Sequence, residues 1–398
     1  METINVEKIK RNIISQYEFR KEIQGKKKKT SYLILNEIFS SEYLKNFSGV
    51  RLVKHENSKN PSEPKYEVIY DEPLSIRYID KNFIKKTIFK YLGLKEESCE
   101  KFLENIKKNF NKTDIKHKNI LQIYDIIEDE KGIYFIEEFC DYTLEDYIKM
   151  TVTPFKSSKF PIEIKLLPII IEIVSVIQYV HEKGLYFGAF LSTKEIYVKE
   201  TLTNEDEMKS AFSIKMPNPI ISLLYTLLSI FSAKIDPNNF QSFFPPEFCN
   251  KFFKENNKND LNEVEINLNS LQFINDNFDK WALGYLMYNL LFDEVPFSFI
   301  DAKEAIRKYK DPNFYYEIFP WKISFNSLNL ISSCLKVEEK KRIQNIDFKA
   351  ILNKYILMSD EFDNFSKEMK ERTERMNKNK EPVKFNLYNS KQILGFEN

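Results

Sequence analysis

The chain has 398 residues, 42% of them hydrophobic and 15% aromatic, enough for one two-lobed domain with extensions or for two or three separate domains. Its 60 basic and 59 acidic residues nearly cancel, which argues against a general nucleic-acid binder with a net basic face. Three histidines rule out a histidine-rich metal centre.

Four cysteines, Cys99, Cys140, Cys249 and Cys334, show no CxxC pair or zinc spacing. They read as free thiols in a reducing, cytoplasmic setting, with a long-range pair left open. Residues 1–30 read as an N-terminal extension. Val6, Ile9, Ile13 and Tyr17 keep helical spacing up to about residue 24, and the start "METINVEKIK" lacks the apolar core of a signal peptide. The basic run "GKKKKT" follows, a solvated connector or an anion or lipid site; it lacks the glycine spacing of a phosphate loop.

Residues 31–140 are strand-rich. "SYLILNEIF" and "VRLVKH" are separated from "LSIRYID" by a polar loop that includes "ENSKNPSEPK". A charged helix, "KEESCEKFLENIKKNF", precedes two strands, "NILQIYDIIED" and "GIYFIEEF", joined by a turn at Lys131 and Gly132. From Pro161 the pattern is helical, and residues 141–358 form a helix-rich part. "FPIEIKLLPIIIEIVSVIQYVHEKG" has Pro161 near its start, Gly184 just past its end and Pro168 as an expected kink. "MPNPIISLLYTLLSIFSA" is 18 residues without a charge. Met216 to Pro219 shorten its apolar part below the ~20 residues a bilayer needs, so no membrane span is expected. Residues 359–398 are mostly charged and form a helical or disordered arm. Strands first and helices second make an α+β protein of two lobes.

Several motifs in order resemble the protein kinase family, over roughly Ser31 to Met358. "DKWALGYLMYNLLFDEVPF" is similar to the family's central helix and places Asp279 and Trp281 there. "FFPPEF" resembles the A-P-E motif as Pro245, Pro246 and Glu247, and "LISSCLKVEEKKRI" resembles the last core helix with its arginine, Arg342. "HKNILQIYDIIEDEKGIYFIEEF" looks like the strands leading into the hinge, and "TLEDYI" like the helix after it. The resemblance implies a buried ion pair between Glu247 and Arg342.

A kinase holds ATP and Mg²⁺ and orients a hydroxyl with a handful of fixed residues. Where the family has its glycine-rich loop, "IFSSEYLKNFSGV" offers Gly49 alone. Arg77 aligns with the V-A-I-K lysine, keeping the charge without the point-like reach. Its helical partner is Glu104, with Asn105 equally allowed by the register. In "GLYFGAF", Phe187, Gly188 and Ala189 take the places of the catalytic-loop histidine, arginine and aspartate. Lys194 stands five residues on; one inserted residue makes it Glu195 in place of the metal-binding asparagine. Asn218, or Pro217, replaces the D-F-G aspartate. Between Gly184 and Glu247 the aspartates are Asp206 and Asp236, both reading as solvated loop acids.

These replacements imply a pseudokinase: no enzyme, no cofactor, no metal, and a role as a scaffold or allosteric partner in a protein assembly. The alternative is an atypical ATP-dependent phosphotransferase in which Glu195 and the acids from Glu205 to Glu207 form a non-standard metal and nucleotide site. Partners are proteins, reached through Ile220 to Ala233 or through the terminal arms. An apolar stretch such as "IISLLYTLLSIFSA" does not stay an open loop; it either folds down where substrate would lie or forms an interface.

Overall fold

The computed structural model describes residues 21–26, 30–40, 44–55, 65–85, 101, 104, 108, 115–151, 162–188, 191–202, 210–235, 242–252, 274–311 and 325–342. They form two compact units. The first holds the described residues up to Tyr142 together with Tyr197–Leu224; the second holds Thr143–Ile196 and the described residues from Tyr225 onward. The fold is α+β, with a strand-rich first unit and a helix-rich second one.

The first unit is built on six antiparallel strands: β1 (Lys21–Gln24), β2 (Thr30–Ser40), β3 (Leu44–His55), β4 (Lys65–Asp80), β5 (Ile123–Glu128) and β6 (Gly132–Glu138). Their order in the sheet is β1-β2-β3-β4-β6-β5. Alternation decides which side chains meet. Ile34, Phe47, Leu74, Ile76, Tyr134 and Ile136 form one buried cluster, joined by Ile23 from β1. The sheet curls, because the Lys26 N–H donates to the Asp125 carboxylate at 3.0 Å and the Tyr32 hydroxyl lies 3.5 Å from the same oxygen.

β1 corrects the expected helical extension. Lys21–Gln24 pairs with Ser31–Ile34 and buries Ile23, so ladder bonds and burial outweigh a helical spacing that a short segment cannot stabilise alone. The helical spacing at Val6 to Tyr17 lies outside the described residues, as do the arm at 359–398 and Lys27 to Lys29 of the basic run. After the two-residue β7 (Tyr142–Thr143), the hairpin β8 (Tyr197–Leu202) and β9 (Ser210–Lys215) completes the strands.

The second unit carries α1 (Leu144–Thr151), α2 (Ile162–Glu182), α4 (Pro246–Phe252), α5 (Asp276–Phe292), α6 (Ala302–Tyr309) and α7 (Phe325–Cys334). The helix α3 (Pro219–Ile235) has its first residues in one unit and its remainder in the other. α2 runs through Pro168 as one helix. α5 starts where the Asn275 side chain accepts the N–H groups of Asn277 and Phe278, and ends on Asp293 at φ 59°. Its buried Trp281 stacks on Phe297 and meets Tyr309 edge-on, each with ring centroids 5.6 Å apart. Among the described residues, no helix is long and apolar enough to cross a membrane.

Candidate functional site

The loop after α2 is held by its backbone. Gly184 and Gly188 both have positive φ, 68° and 69°, a region where a β-carbon is strained. Between them the chain turns so that Asp279 of α5 accepts the N–H of Phe187 at 2.9 Å and that of Gly188 at 2.6 Å. Nε2 of His181 lies 2.9 Å from the same carboxylate. Asp279 is fully buried; burial pushes its carboxyl up, while His181 and the two backbone donors pull the other way. Phe187 is likewise fully buried, so its ring serves the core. Ala189, expected in place of the catalytic-loop aspartate, lies outside the described residues.

α3 lies against this loop. A β-carbon on Gly188 would stand 2.7 Å from the Thr226 hydroxyl oxygen. The helix buries Ile220, Ile221, Leu224, Tyr225, Leu227, Leu228 and Ile230. Asn218, which along with Pro217 is expected in place of the D-F-G aspartate, starts it. Its side-chain oxygen accepts the Ile220 N–H at 3.0 Å and its carbonyl accepts the Ser222 N–H at 3.0 Å, with Pro219 as the first helical residue.

In the first unit the structure corrects the expected partner of Arg77. Glu104 is helical and exposed. Arg77 instead donates from Nε to Glu137 at 3.0 Å and from a terminal nitrogen to the Tyr197 hydroxyl at 3.3 Å. The register explains it: Arg77 is opposite Phe135, so Glu137, two residues along β6, is its diagonal neighbour on the same face. Both side chains are buried, at 2% and 1% exposure. Burial pushes the Glu137 carboxyl up against the pull of Arg77, and its second oxygen has no hydrogen-bond partner. Next to it, Glu138 is shared by Lys199 at 2.7 Å and Lys215 at 2.9 Å. Burial raises the Glu138 carboxyl, but the two lysines more than offset it and hold it below its ordinary range.

Gly49 is no loop residue. It sits in β3 between Ile34 and Leu74, and a β-carbon there would approach the Ile76 side chain to 2.4 Å and the Leu33 carbonyl to 2.7 Å. Its smallness serves sheet packing. Glu195 lies in a turn whose backbone bonds to Ser192, and Lys194 is exposed. Thr193 and Ile196 of that turn accept N–H bonds from Glu145 and Leu144 at the start of α1. Asp206, Asp236 and the acids from Glu205 to Glu207 lie outside the described residues. Among the described residues, no group of three or more His, Cys, Asp or Glu is placed to hold a metal ion.

Glu247 of α4 receives two bonds from Arg342, at 2.5 and 2.6 Å. Arg342 also donates to the carbonyls of Lys336 and Asn277, and its guanidinium lies 4.9 Å from the centre of the Trp281 ring. The arginine side chain is fully buried and that of Glu247 is 31% exposed.

Sequence reasoning missed Glu137, Glu138, Lys199, Lys215, Tyr197 and His181. The signal was available for the first two, since a Glu-Glu pair inside the apolar strand "IYFIEEF" demands buried cations. The cations, Lys199 on β8 and Lys215 on β9, carry no comparable mark.

No established family profile matches the chain. It is 24% identical over 233 residues to the maternal embryonic leucine zipper kinase of Xenopus laevis and to that of Xenopus tropicalis, covering 58% of this chain and 29% of each relative. The chain thus spans under a third of the length of these relatives. A solved structure, Rad53 1–466 in complex with AMP-PNP, aligns at 14% identity over 80% of this chain and 62% of that chain, with a TM-score of 0.45, a likeness too loose to carry an argument. The chain is kinase-like in sequence. The expectation that it is no enzyme does not stand against this similarity, because the relatives it matches are named as kinases.

Proposed function

We propose that the chain works as a kinase-like interaction module, a scaffold or allosteric partner within a protein assembly. One observation supports this reading above the others. The segment that follows Asn218 is the buried helix α3, lying against the loop at Gly188, so its apolar residues serve packing where a polar, open segment would serve substrate. Cys140, Cys249 and Cys334 are free thiols, which suits a reducing compartment such as the cytoplasm.

The second reading is ATP-dependent phosphotransfer from an atypical site. The similarity to kinases favours it. Purified protein melted with and without ATP, in Mg²⁺ and separately in Mn²⁺, with phosphate transfer to a generic protein substrate measured in parallel, separates the two. A ligand at about 100 times its dissociation constant adds ~2.7 kcal/mol, a rise of a few degrees for a chain of this size. A metal-dependent rise with turnover makes phosphotransfer the function. Melting and transfer that ignore ATP and both metals leave the interaction reading in place.

A further inference from the structure

The loop between α5 and α6 in the second unit holds the most exposed large apolar side chain among the described residues, Ile300 at 78%, with Val295 at 46% five positions before it. Between them the chain turns inward: Phe297 and Phe299 are buried and stack with ring centroids 6.0 Å apart. The backbone that carries the exposed pair is fixed along its length. The Asn289 amide donates to the Glu294 carbonyl at 3.3 Å, the Tyr285 hydroxyl to the Phe297 carbonyl at 3.3 Å, and the Phe299 N–H to the Ser242 hydroxyl oxygen at 2.9 Å.

Ile300 precedes the Asp301 cap of α6, a place from which an apolar side chain often packs onto the fourth helical residue. That residue is Ala305, which is fully buried, yet Ile300 stays in water. Glu304 fixes the backbone here: its carboxylate accepts the Ile300 N–H at 2.9 Å, and its own N–H donates to Asp301 at 2.8 Å. Glu145, with Asp146 and Asp293 adding to it, holds the Lys149 ammonium above its ordinary range. Asp293 and the start of the loop therefore lie near the end of α1, where Met150 is 50% exposed. The surroundings are acidic, since residues 293–304 carry four carboxylates against the single lysine Lys303. Glu294 is exposed and pairs with no cation among the described residues. Asp301 and Glu304 are bonded to neutral backbone N–H groups, which leaves their charge uncompensated. The remaining α6 cations begin further along, at Arg307.

We infer that Val295 and Ile300, with Met150 near the start of their loop, are the apolar centre of a docking surface for a basic segment of a partner protein, one that carries aliphatic side chains among its lysines and arginines. It rests on the reading of the chain as an interaction module and supplies the chemistry of the partner. Apolar side chains on a fixed backbone lose little freedom on binding, and burying them supplies residence. The carboxylates around them select a cationic partner and repel anionic lipid surfaces and nucleic acid.

The test uses the full chain on an array of random decapeptides, beside the double variant Val295→Ser/Ile300→Ser and the charge variant Glu294→Lys. The control is Ile38→Ser, which removes a 54% exposed apolar side chain from the first unit. The bound peptides are expected to be rich in Lys and Arg with at least one Leu, Ile, Val, Met or Phe. For the best of them, affinity falls about tenfold in the double variant, and Glu294→Lys weakens it at low salt, a loss that fades as salt rises. All three variants keep the parental melting temperature, because the side chains changed are exposed. Ile38→Ser leaves affinity unchanged. No bound peptide, a bound set that is not basic, equal loss in Ile38→Ser, or self-association of the chain that the double variant abolishes would each overturn the assignment. Basic peptides that bind the double variant as tightly as the parent overturn this surface and leave the module reading intact. Metal-dependent ATP turnover is the separate result that removes the module reading.

Discussion

Arg77 and Glu137 illustrate what a buried charge demands of its surroundings. At 1% exposure the Glu137 carboxylate has little access to water, so removing Arg77 strands it at a cost of ~3–5 kcal/mol, whereas an apolar pair of similar volume can be neutral. Arg77→Met is therefore expected to lower the urea midpoint sharply, and Arg77→Met/Glu137→Leu to recover most of the loss. A double variant no more stable than the single would mean that the pair is not coupled as described. The Glu247–Arg342 pair is asymmetric. Arg342 has no route to water, while Glu247, nearly a third exposed, can be rehydrated. Arg342→Ala also removes the stacking on Trp281 and two carbonyl bonds, so it is expected to cost more than Glu247→Gln in equilibrium denaturation.

Glu138 gives a pH dependence at the same scale. Its carboxyl is held below the ordinary range in the folded chain, so the unfolded chain binds its proton first as pH falls. Its contribution is complete above the unfolded carboxylate pKa of about 4.3 and is lost as pH drops through the lower folded value. Glu138→Gln is expected to flatten the acid limb of a stability-against-pH curve and leave the alkaline limb alone. An unchanged acid limb would show that Lys199 and Lys215 do not hold it.

At the scale of elements, α3 and the loop before it depend on two small residues. Gly184 and Gly188 share the left-handed conformation, but nothing stands within 4 Å of a β-carbon on Gly184. Gly184→Ala then costs only the backbone strain, about 1–2 kcal/mol. Gly188→Ala adds the clash with Thr226, and is expected to lower the melting temperature further and to be partly relieved by Thr226→Ala. Asn218→Ala removes the cap of α3 at about 1 kcal/mol, whereas Asn218→Asp keeps a capping oxygen and is expected to be near neutral. Limited proteolysis should spare residues 220–233; early cleavage there would contradict a buried helix.

At the scale of the whole chain, the units are interleaved in sequence. The first unit draws on the hairpin β8–β9, from which Tyr197 reaches Arg77, Lys199 and Lys215 hold Glu138, and Ile214 anchors Asn119. A fragment ending at Tyr142 loses all four supports. It is expected to unfold at lower urea than the same unit in the full chain, with a broad transition; a sharp transition at the parental midpoint would show that the hairpin is dispensable. This interleaving also explains why contiguous boundaries, such as a division after residue 140, describe the sequence better than the compact bodies.

The sequence alone makes legible β2, β5, β6, the Val50–His55 part of β3, the Leu74–Asp80 part of β4, the long helix α2 and, through the kinase resemblance, the central helix α5. Their signals are local: alternation in strands, a Pro start and a Gly stop at α2, and apolar runs long enough to exclude other readings. It also placed Glu247 and Arg342 and the apolar character of α3, because each lies in a contiguous motif. Tertiary structure alone decided that Lys21–Gln24 is a strand, that Arg77 pairs with Glu137 in place of Glu104, and that Gly49 serves packing. These outcomes depend on which strand lies beside which and on register, where a shift of one residue turns every side chain to the other face. The bond from Arg77 to Tyr197 spans 120 positions, and no local pattern in the chain encodes it.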